Sequence, residues 1–254
     1  MEIALMREVS RNISQCEITT VSRKPIDPVE AMAEHENYQK VLSSLGYKVH
    51  LIDADDDLPD SVFIEDAALV LPETAIITNP GAASRREEGK AVAEALYAYR
   101  ELAYIGDTGT LEGGDVLRIG KTLYVGRSSR TSTVGIMLLR EIVEPLGYTV
   151  TSVPFSRCLH LRAAVSKVAP NTLLINPEWV DPAVLPDMDI LEVDPSEPYA
   201  ANALMVNQDL VCSVSYPKTT AMLKDRGISV TSIDISELTK AEGNISCCCI
   251  TFTL

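Results

Sequence analysis

One pattern of short apolar runs and turns returns five times along this chain, and that repetition constrains the fold more than any single motif. Glu65-Asp66 precedes two apolar runs, Ala67 to Leu71 and Ala75 to Thr78. The turn Asn79-Pro80-Gly81 then leads to a stretch of helical character from Arg85 to Arg100, followed by Leu102 to Ile105. Glu112-Gly113-Gly114-Asp115 opens the same series: Val116 to Ile119, Thr122 to Val125, a predicted helix near Thr133 to Leu146, and Thr149 to Pro154. His160 opens Leu161 to Val168, Thr172 to Ile175, a short irregular connection, and Asp189 to Val193. Asn202 opens Ala203 to Val206, Leu210 to Val214, a predicted helix near Lys218 to Asp225, and Ser229 to Ile233. The last unit begins with a predicted strand from Ile245 to Phe252 and runs out of chain. Its missing parts stand at the N-terminus, as Ile3 to Met6, a helix near Pro28 to Leu45, and Lys48 to Ile52.

The openings fall at Glu65, Glu112, His160, Asn202 and Cys247, spaced 47, 48, 42 and 45 residues apart. Five ββαβ units, the last completed by the N-terminal segment, imply an α/β ring, because closure hides the sheet edges. No Pro/Gly/Ser-rich linker divides the chain, so a single domain over residues 1–254 is expected. In such a ring the first strand of each unit starts near the common axis. Glu65, Asp66, Glu112, His160, Asn202 and Cys247 would then gather at one place. Turn chemistry accounts for Asn202 there; it does not account for His160 or Cys247. His35 and His50, away from the openings, are assigned to surface or helix.

Charge narrows the function classes. With 22 Lys+Arg against 36 Asp+Glu, the formal charge is −14. Phosphate-backbone contacts need clustered cations, so a nucleic-acid partner is not expected. An acidic field suits a cationic small molecule, although acidity also serves solubility. No run approaches the ~18 apolar residues of a membrane span, and charges at Glu2, Arg7 and Glu8 come too early for a secretory signal. The cysteines are Cys16, Cys158, Cys212 and the run Cys247-Cys248-Cys249. With no CxxC spacing they make neither a zinc motif nor a plausible disulfide framework. A reduced, cytoplasmic thiol protein is the expectation.

Seven segments carry a family resemblance. They are Pro59 to Asp66, Pro80 to Arg86, Glu112 to Val116, Gly126 to Thr131, Leu159 to Leu161, Tyr199 to Asn202 and Gly243 to Cys247. In order, and across nearly the whole chain, they resemble the dimethylarginine dimethylaminohydrolases (dimethylargininases), within the pentein fold of guanidine-modifying enzymes. The resemblance implies that Cys247 is the nucleophile and His160 the general acid/base, oriented by Glu112. Glu65 and Asp66 would line the guanidine end. Arg85 and Arg130 would grip the substrate α-carboxylate, and Asp60 would receive the α-amino group. A backbone carbonyl maps to Ala241, and one from an N-terminal loop to Ile13 or Ile18. No cofactor and no metal are implied, and a homodimer is the default assembly.

The chemistry fits those residue types. A guanidinium carbon is a poor electrophile, so its hydrolysis calls for a strong nucleophile and a proton donor for the leaving amine. A thiolate and an imidazole supply these. Carboxylates would hold the cation by charge-assisted hydrogen bonds and raise the thiol pKa, so the thiolate is expected mainly once substrate binds. Cys248 and Cys249 are expected to serve packing, with Cys247 and Cys249 on one face of a strand. The alternatives within the fold are an arginine deiminase, another guanidino hydrolase or an amidinotransferase; outside catalysis, a pentein acting only as a binding module. Taken by themselves, Arg85 could pair with Glu88, and the acids could cap strands or take a metal; adventitious zinc on Cys247 and His160 would inhibit.

Overall fold

A computed structural model describes residues 1–254 and contains five three-stranded sheets. In the first, Ala68–Val70 and Ala75–Ile77 form an antiparallel hairpin, and Leu102–Tyr104 returns parallel to the second strand. A parallel return requires a crossover, and helix Glu88–Tyr97 supplies it. The second sheet repeats this with Val116–Ile119, Thr122–Gly126 and Thr149–Val153 around helix Thr133–Val143. The fourth does so with Leu204–Val206, Asp209–Ser213 and Ser229–Ile233 around helix Pro217–Asp225. The third, Val165–Ala169, Thr172–Ile175 and Asp189–Glu192, crosses over through only a single turn, Pro182–Val184. In the fifth, Ile250–Thr253 lies antiparallel to Glu2–Arg7, whose other edge pairs in parallel with Lys48–Ile52. The two ends of the chain thus share one sheet, as the repeat implied.

Local sequence explains the crossovers. Helix Pro28–Ser44 begins with Pro28 in its first turn, and the Asp27 carboxylate accepts the N–H groups of Val29 and Glu30. Its buried residues, Ala31, His35, Tyr38 and Leu42, recur at alternating steps of three and four and form one stripe against the core. Helix Thr133–Val143 is capped by Ser132, whose hydroxyl accepts from Gly135 N–H at 3.1 Å.

Two expectations fail here. The strands read from Leu161 and from Ile245 begin later, at Val165 and Ile250, after helical turns at Leu161–Ala164 and Ser246–Cys248; similar turns stand at Ile64–Ala67 and Gly113–Asp115 ahead of their strands. These turns bring the units together near the axis; a Cβ on Gly113 would stand 2.0 Å from the Glu65 carbonyl oxygen, so only glycine fits. His35 lies in a helix, as expected; it is buried there, and burial drives its pKa down to about 4. His50 is in neither helix nor open surface: it sits half-buried on strand Lys48–Ile52, with Nδ1 2.9 Å from the Tyr99 hydroxyl.

Candidate active site

The openings of the first three units meet around His160. Its Nε2 stands 2.6 Å from Glu112 Oε2 and 3.7 Å from Asp66 Oδ1. The other Glu112 oxygen accepts Gly81 N–H at 3.0 Å and faces the Arg130 guanidinium at 3.4 Å. Gly114 N–H donates to Asp66 Oδ1 at 3.1 Å. A Cβ on Gly114 would fall 2.8 Å from His160 Nδ1 and 2.7 Å from Asp66 Oδ1, so the imidazole can occupy this place only over a glycine. Burial alone would lower the His160 pKa; the charge of Asp66 and the contact with Glu112 outweigh it and hold the ring cationic well above its ordinary range. Burial likewise works against ionised Glu112, but His160, Arg85 and Arg130 keep its carboxyl below the usual range. Asp115, fully buried, accepts Leu161 N–H at 2.9 Å and the Ser128 hydroxyl at 2.6 Å, fixing the turn that follows His160.

Cys247 lies in the turn Ser246–Cys248, not on a strand, and the strand begins only at Ile250. The expected alternation of three cysteines along one strand is therefore incorrect. A turn separates them instead: Cys247 faces a cavity of about 410 Å³ shared with His160, Glu65, Gly114, Arg162 and Asn202. Cys248 Sγ contacts the Asn244 carbonyl at 3.5 Å, and Cys249 Sγ lies 3.3 Å from the Tyr38 hydroxyl; both sulfurs are buried in the core. Burial, then Glu65 and Asp66, push the Cys247 thiol far above its ordinary value, so in the free protein it is protonated.

Glu65 is tied to the Cys247 turn by residues that sequence reasoning missed. Ser246 Oγ donates to Glu65 Oε2 at 2.8 Å, and Asn202 Nδ2 donates to Ser246 Oγ at 3.0 Å. Asn202 Oδ1 in turn accepts Ser246 N–H at 3.0 Å, so Asn202 is more than a turn residue. The Arg162 guanidinium stands 3.5 Å from Glu65. Burial nevertheless pushes the Glu65 carboxyl up.

The residues expected at the amino-acid end surround a small inner cavity of about 20 Å³, room for about one water. It is lined by Asp60, Asp66, Arg85, Arg130, Ala241 and Cys247, among others. Arg85 is engaged within the protein: Nε and Nη2 clasp Glu88 at 3.0 and 2.9 Å, and Nη1 meets Asp66 at 2.8 Å. The Glu88 pairing open from the sequence is therefore the one present. Burial pushes the Glu88 carboxyl up to about 7, but the two short N–H···O contacts are satisfied best by the ionised pair. Arg130 Nη2 donates to Thr19 Oγ1 at 2.8 Å, and Asp60 accepts Glu17 N–H at 3.1 Å. The N-terminal loop thus closes on the inner cavity. Neither Ile13 nor Ile18 lines a site cavity: Ile13 is in the core, and Glu17, Thr20, Val21, Ser22 and Lys24 provide the loop's lining. Glu242, left-handed at φ 59°, accepts the N–H groups of Thr19 and Thr20 and holds the loop down.

A metal ion could reach Asp66, Glu112 and His160, whose ligand atoms lie within 4.8 Å of one another. Cys247 is not in that group. The His160–Glu112 contact and the adjoining Arg85 and Arg130 charges satisfy these carboxylates without an ion.

Comparison with known proteins gives the family. Residues 10–254 match the family model described as N,N dimethylarginine dimethylhydrolase, eukaryotic. A dimethylarginine dimethylaminohydrolase of Streptomyces coelicolor is 39% identical over 246 residues, covering 96% of this chain and 94% of that protein. The Pseudomonas aeruginosa enzyme, solved as a mutant complexed with citrulline, superposes with a TM-score of 0.92 at 30% identity, covering 98% of each chain. A dimethylarginine dimethylaminohydrolase adduct with S-methyl-L-thiocitrulline superposes at 0.95 and 30% identity, covering 99% of this chain and all of that one. The five-bladed ring, the family match over most of its length and the likeness to these enzymes lead to one conclusion: this chain belongs to the dimethylarginine dimethylaminohydrolase family.

Proposed function

We propose that this protein hydrolyses N-methylated arginine to citrulline and a methylamine through a covalent thiouronium on Cys247. The observation that carries the reading is the convergence of a thiol, a cationic imidazole and two carboxylates on two cavities in a chain of this family: Cys247 and His160 line both, Glu65 the larger and Asp66 the smaller. Asp66 and Glu65 receive the guanidinium, and the incoming cation reverses the field that keeps Cys247 protonated, so that the thiol loses its proton to solvent. The thiolate attacks the guanidinium carbon, forming the C–S bond. His160, held cationic by Glu112, gives its proton to the departing nitrogen, and the C–N bond breaks to release dimethylamine or methylamine. Neutral His160 then takes a proton from water as the water oxygen attacks the thiouronium carbon. The C–S bond breaks, the hydroxyl proton passes to the departing sulfur, the Cys247 thiol is restored, and citrulline leaves. The scheme uses no cofactor or metal.

At the other end Arg130 and Arg85 bind the α-carboxylate, and Asp60 with the Ala241 carbonyl receives the α-amino group. For this, Arg130 exchanges Thr19 for substrate, and Arg85 uses the donors left over from Glu88 and Asp66. The ring works as a single domain, since the fifth sheet needs both chain ends. Six free cysteines suit the reducing cytoplasm, and no helix is long and apolar enough to cross a membrane. A homodimer belongs to the same reading; exposed Val134 and Met137 on one crossover helix offer it apolar surface. The test is mass-spectrometric product analysis with arginine, monomethylarginine and dimethylarginine offered together. Methylamine and dimethylamine should form in preference to ammonia; ammonia from arginine as the main product would make the protein a deiminase.

A further inference from the structure

Beyond Cys247 along the ring axis lies a second cavity, of about 320 Å³. The first strand of every unit contributes to its wall: residues 68–70, 116–118, 167, 203–205 and 249–251. It is the continuation of the axis past the catalytic openings, and Glu65 and Arg162 line both cavities. Its size is at the lower end of ligand-binding pockets.

The charges in this cavity run against the rest of the protein. In a chain with 14 more acids than bases, Arg118, Arg162 and Lys167 converge here against one carboxylate, Glu65, which is already engaged by Ser246. Arg118 and Lys167 make no ion pair and no side-chain hydrogen bond, although most other cations of the axis region are paired. The Arg162 Nε is buried without an acceptor. A buried donor without a partner costs stability until something accepts from it.

We propose that this rear cavity is a binding site for a small multivalent oxyanion, bearing carboxylate or phosphate groups, held by Arg118, Arg162 and Lys167. Guanidinium forks match the paired oxygens of both groups, and Arg118 and Lys167 have no protein partner to give up. Because Arg162 also faces Glu65, the anion shares a residue with the catalytic cavity without entering it.

The experiment is calorimetric titration of the full chain with citrate and, separately, inorganic phosphate, at ionic strength held constant with sodium chloride. One-to-one saturable binding of at least one anion is expected, and which one binds identifies the source class. R118Q and K167Q should each weaken it about tenfold, equivalent to ~1.4 kcal/mol, with turnover unchanged. Two separate variants guard against one that misfolds. Protein alkylated at Cys247 should bind the anion equally well. The proposal is overturned if neither anion saturates, if binding is unaltered in R118Q and K167Q, or if alkylation of Cys247 abolishes it.

Discussion

The imidazole Nε2 of His160 stands 2.6 Å from Glu112 Oε2, and both side chains are buried. This contact ties protonation to folding as well as to catalysis. The folded pKa of His160 is raised, so its contribution to stability is full below the ordinary value of 6.5 and fades as pH rises through the folded one. The pKa of Glu112 is depressed, so its contribution is present above 4.5 and is lost as pH falls through the folded value. The pair therefore stabilises most between those two ordinary values.

Replacing Glu112 by Gln should lower stability most in that window and progressively less toward alkaline pH, as measured by urea unfolding across pH. The same change should move the alkaline limb of kcat/KM to lower pH, by about one to three units for loss of one close opposite charge. An unmoved limb would detach Glu112 from His160 in the working enzyme.

Cys247 is protonated in the free protein because burial and two carboxylates oppose its charge. A cationic alkylator such as a haloacetamidine should therefore inactivate faster than neutral iodoacetamide of equal intrinsic reactivity at pH 7, since it brings its own counter-charge. Iodoacetamide labelling should keep accelerating with pH beyond the ordinary thiol range. Equal rates for the two reagents, with a plateau below pH 8, would mean a preformed thiolate.

The Arg85–Glu88 fork is buried, so removing one partner strands a charge. Glu88→Ala should destabilise the protein by about 3–5 kcal/mol, measured by denaturant unfolding. Arg85→Lys keeps the charge but not the fork; it should raise KM more than it lowers kcat. Agmatine, which lacks the carboxylate, should be a poor substrate. Efficient agmatine turnover would remove Arg85 and Arg130 from substrate binding.

The Tyr38 hydroxyl donates to the Ile245 carbonyl at 3.0 Å and touches Cys249 Sγ, supporting the turn that carries Cys247 from behind. Tyr38→Phe leaves that buried carbonyl unpaired, at a cost of about 1–3 kcal/mol, and should lower kcat with the turn displaced. Cys248→Ser should cost stability and leave the site chemistry intact. Thermal unfolding and steady-state kinetics separate the two effects.

The ring was legible because each unit marks its start with polar residues and then alternates two apolar runs with turn chemistry. The helical turns between opening and strand were not. Leu161-Arg162-Ala163-Ala164 is too short for its periodicity to distinguish helix from strand, and the same ambiguity hid the turn at Cys247. Burial of His35 follows from its place in the stripe with Ala31, Tyr38 and Leu42, a signal present in the sequence but weak for a polar residue. The bridge from Asn202 through Ser246 to Glu65 joins three different units. No spacing within one segment could reveal it. The loop residues over the amino-acid end depend on where Glu242 and Arg130 stand, which only the closed ring determines.

Hydrolysis by this route passes through a covalent intermediate on Cys247. Its direct measurement is acid quenching of the protein during dimethylarginine turnover, followed by peptide mapping. A thiouronium adduct should map to Cys247 alone and be absent in Cys247→Ser together with turnover. Turnover persisting in Cys247→Ser, or an adduct mapped to Cys248 or Cys249, would contradict it.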